Sequence, residues 1–416
     1  MSQWLTDVID RGAVNDWLSP VRDKALAELK QTSWPTRRTE AWKYTSLKPL
    51  EDLDLSTKGT IPELPVIDGL DSIDLVFADG ELKTDLSSLE LPAGVRIESL
   101  ANASKQGQAT AEAVFSQVKP GRHLFGLIND VLVRQGLIID IDAGVSFTTP
   151  LRIVNLTGAG EESHQRVLVR LGDQAKACVI EQGLGEDSSF STGFAEYQLG
   201  QKAQLEHYRL AMHTQKAVHI GGSHFDLYDE ARLNSTLIGF GSQLARLDVD
   251  IAHRGEHAKA KFNNVYLLGE GEHFDLHSTI EHAMPNGTTE ENARGIVGDR
   301  AKAVFNGRIH IHRGAQKTLA ELNNRNLLLS RRGQINTKPE LEIYADDVQC
   351  AHGATVAEID EQSLYYLMTR GIPRSQALVM LNFGFIQELV NQMPNKALAE
   401  WLQPRLKARF EEMEVK

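Results

Sequence analysis

The stretch ADDVQCAHGATV, Ala345 to Val356, places Cys350 two residues before His352 and shortly after the carboxylates of Asp346 and Asp347. If Val348 to Val356 is a strand, then Val348, Cys350, His352, Ala354 and Val356 share one face, and Cys350 and His352 stand about 6–7 Å apart along it. That spacing lets thiolate and imidazole reach one metal ion. The same pattern is that of an ordinary buried strand face, since free cysteine is among the most buried residue types. The chain owns two cysteines, Cys178 and Cys350, so it cannot hold a four-cysteine iron–sulfur cluster. A structural zinc ion takes four protein ligands. A metal site built on the pair must therefore borrow ligands from another chain. A thiol–imidazole nucleophile is the second reading, but side chains at i and i+2 of a strand project in parallel, which strains the hydrogen bond it needs.

Asp346 and Asp347 suggest carboxylate acid–base chemistry on a sugar, as in a β-helix carbohydrate-active enzyme. Adjacent strand residues face opposite sides and cannot flank one bond. The five tryptophans (4, 17, 34, 42 and 401) lie outside the repetitive body described below, which removes a stacking groove for sugar there. RIHIH places His310 and His312 on one strand face, and HRGEH and HFDLH add His253, His257, His273 and His277. A self-contained metal-binding protein using Cys350, His352 and the His310/His312 pair is thus a third reading. The sequence has no G-x-x-x-x-G-K-[ST] loop, so any nucleotide hydrolysis belongs to a partner and no nucleotide is expected on this chain.

The elements that position these residues repeat. From about Leu124 to Asp360 short alternating segments follow one another, as in LARLDVDIAH, where Leu244, Arg246, Asp248 and Asp250 alternate with Ala245, Leu247, Val249 and Ile251. GDQAKACVIEQ, GQKAQLEHYRL, YDEARLNSTLI and GEHAKAKFNNV align on Ala175, Ala203, Ala231 and Ala258, at spacings of 28, 28 and 27, and GDRAKAVFNGR adds Ala301 after 43. A fixed spacing of turn, alanine and alternating strand predicts a β-solenoid. Chance similarity among strands of a sandwich is the alternative. Before this body, Val14 to Lys30 reads as an amphipathic helix, SWPTRRTEAWKYTSLKPL as an aromatic, Pro-containing segment, and Pro49 to Pro65 as a linker or irregular loop. After Asp360 three helices are expected, broken at Gly371/Pro373 and at Pro394, with an apolar stripe of Leu378, Leu381, Phe385, Leu389 and Val390 on the second. Capping of the last coil is the first expectation for them, docking of a partner the other. The division is an N-terminal helical and mixed region over 1–123, a β-helix core over 124–360 and a C-terminal helical domain over 361–416.

A formal net charge of −12 over 416 residues argues against a nucleic-acid binder. Residues 294–338 depart from it, with ten Lys/Arg against Asp299 and Glu321. They form either a solvated face or an anion or partner surface. Apolar residues make up 41% of the chain, with mean hydropathy −0.29 and no uninterrupted apolar run long enough for a membrane helix. The N-terminus lacks a basic stretch followed by an apolar one, so no secretory signal is evident and the cytoplasm is expected. Two cysteines suit a reducing compartment.

The segment NNRNLLLSRRGQINTKPELEIYADDVQCAHGATVAEIDEQSLYYLMTRGIPRSQALVMLNFGF, Asn323 to Phe385, closely resembles the SufB/SufD family of iron–sulfur cluster assembly scaffolds. PTRRTEAWKYTSLKPL, Pro35 to Leu50, resembles the N-terminal signature of the branch that pairs with SufB. The low cysteine number fits the same branch, because cysteine-based sulfur acceptance is usually assigned to SufB. The resemblance implies a mainly β chain, a right-handed parallel β-helix with helical N- and C-terminal parts. It also implies a non-enzymatic scaffold that pairs with SufB through the β-helix and binds the SufC ATPase through residues of about 361–416. His352 matches a histidine implicated, with a SufB cysteine, in building the nascent Fe–S cluster at the heteromeric interface. Cys350 matches the cysteine of the same element, with a less defined role. A homodimer of the isolated chain is left open.

Overall fold

A computed structural model describes residues 3–12, 16–214 and 216–414. The chain opens with helices α1 (Gln3–Arg11), α2 (Ser19–Leu29) and α3 (Lys48–Glu51). Strands β1 (Ile73–Ala78), β2 (Glu81–Leu82) and β3 (Val95–Ser99) precede α4 (Lys105–Val114) and α5 (Leu124–Leu132). An unbroken series of strands follows: β4 (Gln135–Ile141), β5 (Leu151–Thr157), β6 (Glu162–Leu171), β7 (Lys176–Gly185), β8 (Phe190–Leu199) and β9 (Gln204–Met212). Then come β10 (Val218–Leu227), β11 (Arg232–Phe240), β12 (Leu244–His253), β13 (Lys259–Leu268) and β14 (His273–His282). The series ends with β15 (Thr288–Val297), β16 (Lys302–Ile311), β17 (Thr318–Leu328), β18 (Gln334–Ile343) and β19 (Val348–Glu358). Helices α6 (Glu361–Thr369), α7 (Arg374–Asn391) and α8 (Lys396–Glu414) close the chain. Val14, named above as the start of the first helix, lies outside the described residues; α2 begins at Ser19, with Pro20 in its first turn.

From β4 onward the strands alternate between two sheets, each pairing in parallel with the strand two places away. β5 to β19 build a ten-stranded sheet with β1 and β2 at its start, and β4 to β18 a nine-stranded sheet with β3. The expected solenoid is present. Its interior is filled by every second residue: Ala245, Leu247, Val249 and Ile251 of β12 all belong to one apolar core with Phe225, Phe262 and Ile280.

The aligned alanines mark one corner of the coil. Gln174, Lys202, Glu230 and His257 adopt left-handed backbone with φ of 61, 58, 56 and 58°, and the alanine after each is fully buried. The left-handed residue turns its N–H toward the next coil, as Gln174 donates to the Gln201 carbonyl at 2.7 Å and Lys202 to the Asp229 carbonyl at 2.7 Å. The alanine then fills an inner corner with little room for more. This corner continues at Asn286–Gly287 and Lys317–Thr318, whose first residues have φ of 62 and 58°. Ala301, read above as the fifth repeat, instead lies just before β16, a strand of the other sheet. Both corners close with the same N–H to carbonyl turn, Ala301 to Gly298 at 3.1 Å and Ala203 to Gly200 at 3.0 Å, which explains the misleading likeness.

Two further differences from the sequence reading have simple causes. The strand texture begins at Gln135, because LFGLINDVL forms α5, whose residues are all buried. A short apolar run that is buried all round carries no period to tell helix from strand. The C-terminal helices do not cap the last coil. They lie along the outer face of the ten-stranded sheet, where Ile180, Tyr208, Leu210, Ile238, Val265 and Leu267 meet Leu378, Ile386, Leu389, Leu398, Trp401 and Phe410. Those sheet residues alternate with the interior ones, so these strands are apolar on both faces and the outer face needs a cover. Gly371, at φ +83°, ends α6 and lets the chain turn into α7.

Candidate functional site

β19 is the outermost strand of the ten-stranded sheet and pairs on one side only, with β17. Val348, Cys350, His352, Ala354 and Val356 stand in register with Thr318, Ala320, Leu322, Asn324 and Asn326. Those five residues of β17 are buried in the coil, so the five of β19 occupy the same inward column. No further coil covers them among the described residues. His352 is therefore exposed although its backbone register is an interior one, while Cys350 is half-buried and packs against the core. Burial pushes the Cys350 thiol up, with a backbone hydrogen bond at Ala320 opposing it. In the isolated chain Cys350 is thus a thiol rather than a thiolate.

The neighbouring edge is equally open. β18 ends the nine-stranded sheet and pairs only with β16, and its residues are half-buried or exposed throughout. Ile343, Tyr344, Leu319 and Val356 are exposed around this last coil. Two uncovered edge strands of ten and eleven residues present unpaired backbone N–H and C=O groups, which are a template for pairing with another chain.

The other candidates fall elsewhere. Asp346 and Asp347 sit in the turn before β19, not on it, and both are exposed; the Asp347 carbonyl accepts from Lys317 N at 2.5 Å. His310 lies on the outer face of β16, its Nδ1 3.0 Å from Glu342 Oε2 and its ring 4.3 Å from that of exposed His312. Arg308 is the chief cause that holds the Glu342 carboxyl down at about 2. The His310 pair is therefore engaged in an outer ion cluster, on a different sheet from Cys350 and His352. His253 stacks on His282 at 4.1 Å inside the coil, and burial lowers the two to about 4 and about 2. His257 is a corner residue, His277 pairs with Asp275 at 2.9 Å, and His273 Nε2 is 3.0 Å from Thr45 Oγ1. Cys178 is buried under the C-terminal helices with its thiol raised, chiefly by burial.

The 294–338 basic run is dispersed by the coil. Arg300 pairs with Glu270 at 3.0 Å, Arg308 with Glu342 at 2.7 Å and Lys338 with Glu40 at 2.8 Å, while Arg331 and Arg332 sit exposed in the turn before β18.

One cluster escaped the sequence reading. His123 Nε2 donates to Asp250 Oδ2 at 2.7 Å, and His224 Nδ1 donates to the same oxygen at 2.8 Å. The three offer ligand atoms within 4.8 Å of one another. Arg122 also pairs with Asp250, so the carboxylate is already neutralised. Only the coil spacing of 26 between His224 and Asp250 hints at their contact, and nothing local points to His123.

Away from the sheets, α6 and α7 leave Tyr365, Tyr366, Met368, Met380 and Leu381 exposed, a set of large apolar side chains on one helical hairpin.

Comparison with known proteins adds the following. A family described as "SUF system FeS cluster assembly, SufBD core domain" matches residues 154–385, and one described as "SufBD protein N-terminal region" matches residues 5–153. The iron–sulfur cluster assembly protein SufD of Escherichia coli (strain K12) is 30% identical over 403 residues, spanning 94% of this chain and 93% of its own. An iron–sulfur cluster assembly SufBD family protein of Synechocystis is 28% identical, over 88% of this chain and 85% of its own. SufD of Bacillus subtilis is 25% identical, over 93% of this chain and 92% of its own.

Proposed function

The chain belongs to the SufB/SufD family of the SUF iron–sulfur cluster assembly system, and from that premise we propose that it is a scaffold subunit of the SufD type, which pairs with SufB through its open last coil and contributes His352 to a shared site where the nascent cluster forms. The observation that carries this reading is the coincidence of the two uncovered edges of β18 and β19 with a strand on which a cysteine and a histidine share an inward column. A partner β-helix continuing both sheets would bury those edges and bring its own donors against His352. The cluster is then cargo at the junction, held by this chain's imidazole, by a SufB thiolate and by sulfide.

Each residue has a limited task. His352 supplies an imidazole nitrogen as a ligand. Cys350 starts as a thiol and gives up its proton only where iron binds it. Neither residue does acid–base work on an organic substrate, and the chain acts without catalysing a reaction of its own. Without SufB, the same edges favour pairing with a second copy, a homodimer. The exposed side chains of Tyr365, Tyr366, Met368, Met380 and Leu381 are the surface for the SufC ATPase, which supplies the nucleotide chemistry. The parts are the N-terminal region 1–123, the β-helix 124–360 and the helical domain 361–416, working in the cytoplasm.

Hydrogen exchange of the full-length chain with and without SufB tests the pairing. Peptides covering residues 334–358 should gain protection while those of β10 to β13 stay unchanged. Equal exchange of 334–358 in both samples would overturn the proposed interface.

A further inference from the structure

The N-terminal segment TRRTEAWKY and the basic run, two features that cluster assembly does not use, meet in one place. Arg37 and Lys43 from the segment and Lys302 at the start of β16 line a pocket of about 420 Å³ on the nine-stranded sheet. Gln334, Asn336 and Ser46 add neutral hydrogen-bonding groups. Lys302 stands in register between His273 and Gln334, so three successive coils supply the floor.

The pocket's charge is not offset from within. Arg37, Lys43 and Lys302 have no ion pair among the described residues, although the chain as a whole carries −12. Glu272 also lines the pocket, but it is buried, and its carboxylate is taken by Arg409 and by the Gly269 N–H. Arg300, at the rim, pairs with Glu270.

The segment that carries two of the cations is fixed to the sheet. The Arg246 guanidinium covers the Trp42 ring at 4.1 Å and donates to the Ala41 carbonyl at 2.5 Å. Thr45 Oγ1 donates to buried Asp275 at 2.6 Å, and Lys338 reaches Glu40 at 2.8 Å. Residues 40 to 45 are thus clamped on both sides of Lys43, which fixes the backbone that carries this cation beside the pocket before any ligand arrives. An anion entering the pocket would be attracted by all three exposed cations at once.

We infer that this pocket binds a small polyanion, a molecule bearing two or more phosphate or carboxylate groups. The site borders the open last coil, since Gln334 and Asn336 belong to β18, but its three cations lie outside β18 and β19, and its test on the chain alone does not depend on the assembly function proposed above. Titration calorimetry on the full-length chain at low ionic strength, with inorganic pyrophosphate in one arm and citrate in the other, tests it. One equivalent of anion should bind, with the affinity falling about tenfold in Lys302→Ala and again in Arg37→Ala, and falling as salt is added. Tighter binding of pyrophosphate assigns phosphate chemistry; tighter binding of citrate assigns carboxylates. Circular dichroism of both variants guards against misfolding, and Asn336→Ala, expected to weaken binding less than either charge removal, gives an independent reading of the same pocket. No binding of either anion at millimolar concentration, or unchanged affinity in both charge variants, would overturn the inference.

Discussion

Glu291 sits fully inside the solenoid, in the inward column that runs Phe262, Glu291, Leu322, His352. Its Oε1 accepts from Ser278 at 2.7 Å, and its Oε2 has no hydrogen-bond partner. Burial, opposed only by the Ser278 bond, pushes its carboxyl up to about 7 from an ordinary 4.5. A rise of that size corresponds to roughly 3 kcal/mol of pH-dependent stability. The group is neutral in the folded chain and ionised in the unfolded one between these two values, so the unfolded state binds fewer protons there. Stability from this group is fully present below about 4.5 and is lost as the pH rises through about 7. Glu291→Gln removes the titration but keeps an acceptor for Ser278; its extra amide protons carry a cost that is the same at every pH. Denaturant unfolding of both proteins from pH 4.5 to 8 should show the variant gaining on the parent by about 3 kcal/mol across the range. Parallel pH profiles in the two proteins would refute the reasoning.

Three further outcomes are expected. Cys350→Ser should reduce cluster yield in the co-expressed complex less than His352→Ala does, because Cys350 is half-buried and packs on the core; equal loss in quantified iron and sulfide would place the two on one footing. Tyr365→Ala combined with Tyr366→Ala should weaken binding of the SufC ATPase by tenfold or more in a pull-down titration while leaving the fold intact, since both rings are exposed; deleting α8 is a poorer test, because Leu398, Leu402, Leu406 and Phe410 cover the sheet and each is worth roughly 1.5–3 kcal/mol. Ala203→Leu should destabilise the coil by about 1–3 kcal/mol in thermal unfolding, its corner being completely buried, and an unchanged midpoint would mean the corner has room.

The coil was legible because its signals are local. LARLDVDIAH alternates at the period of a strand and the alanines recur at the coil spacing, whereas the left-handed residues before them, Gln174, Lys202, Glu230 and His257, gave no such signal. The β19 pair was legible for the same reason, as i and i+2 share a face whatever lies beyond. What the sequence hid depends on which surface meets which. Arg246, Asp248 and Asp250 look like a solvated face, yet they are buried beneath Trp42, Arg122 and His123. The apolar outer column of Leu210, Ile238 and Val265 is interspersed with the interior one, so neither the seat of the C-terminal helices nor the bareness of the last coil could be read from periodicity. β1 and β3 were missed because each gains its sheet from strands far along the chain: β1 pairs with β5, and β3 pairs with β4 antiparallel.

The central claim is that His352, at the open edge of the last coil, completes a site shared with SufB. Anaerobic purification of the co-expressed complex containing His352→Ala, with its visible spectrum and its iron and sulfide content set against the parent, tests this most directly. The expected result is a complex of unchanged subunit composition that lacks the cluster absorption. A variant complex that assembled the cluster at the parental rate would contradict it.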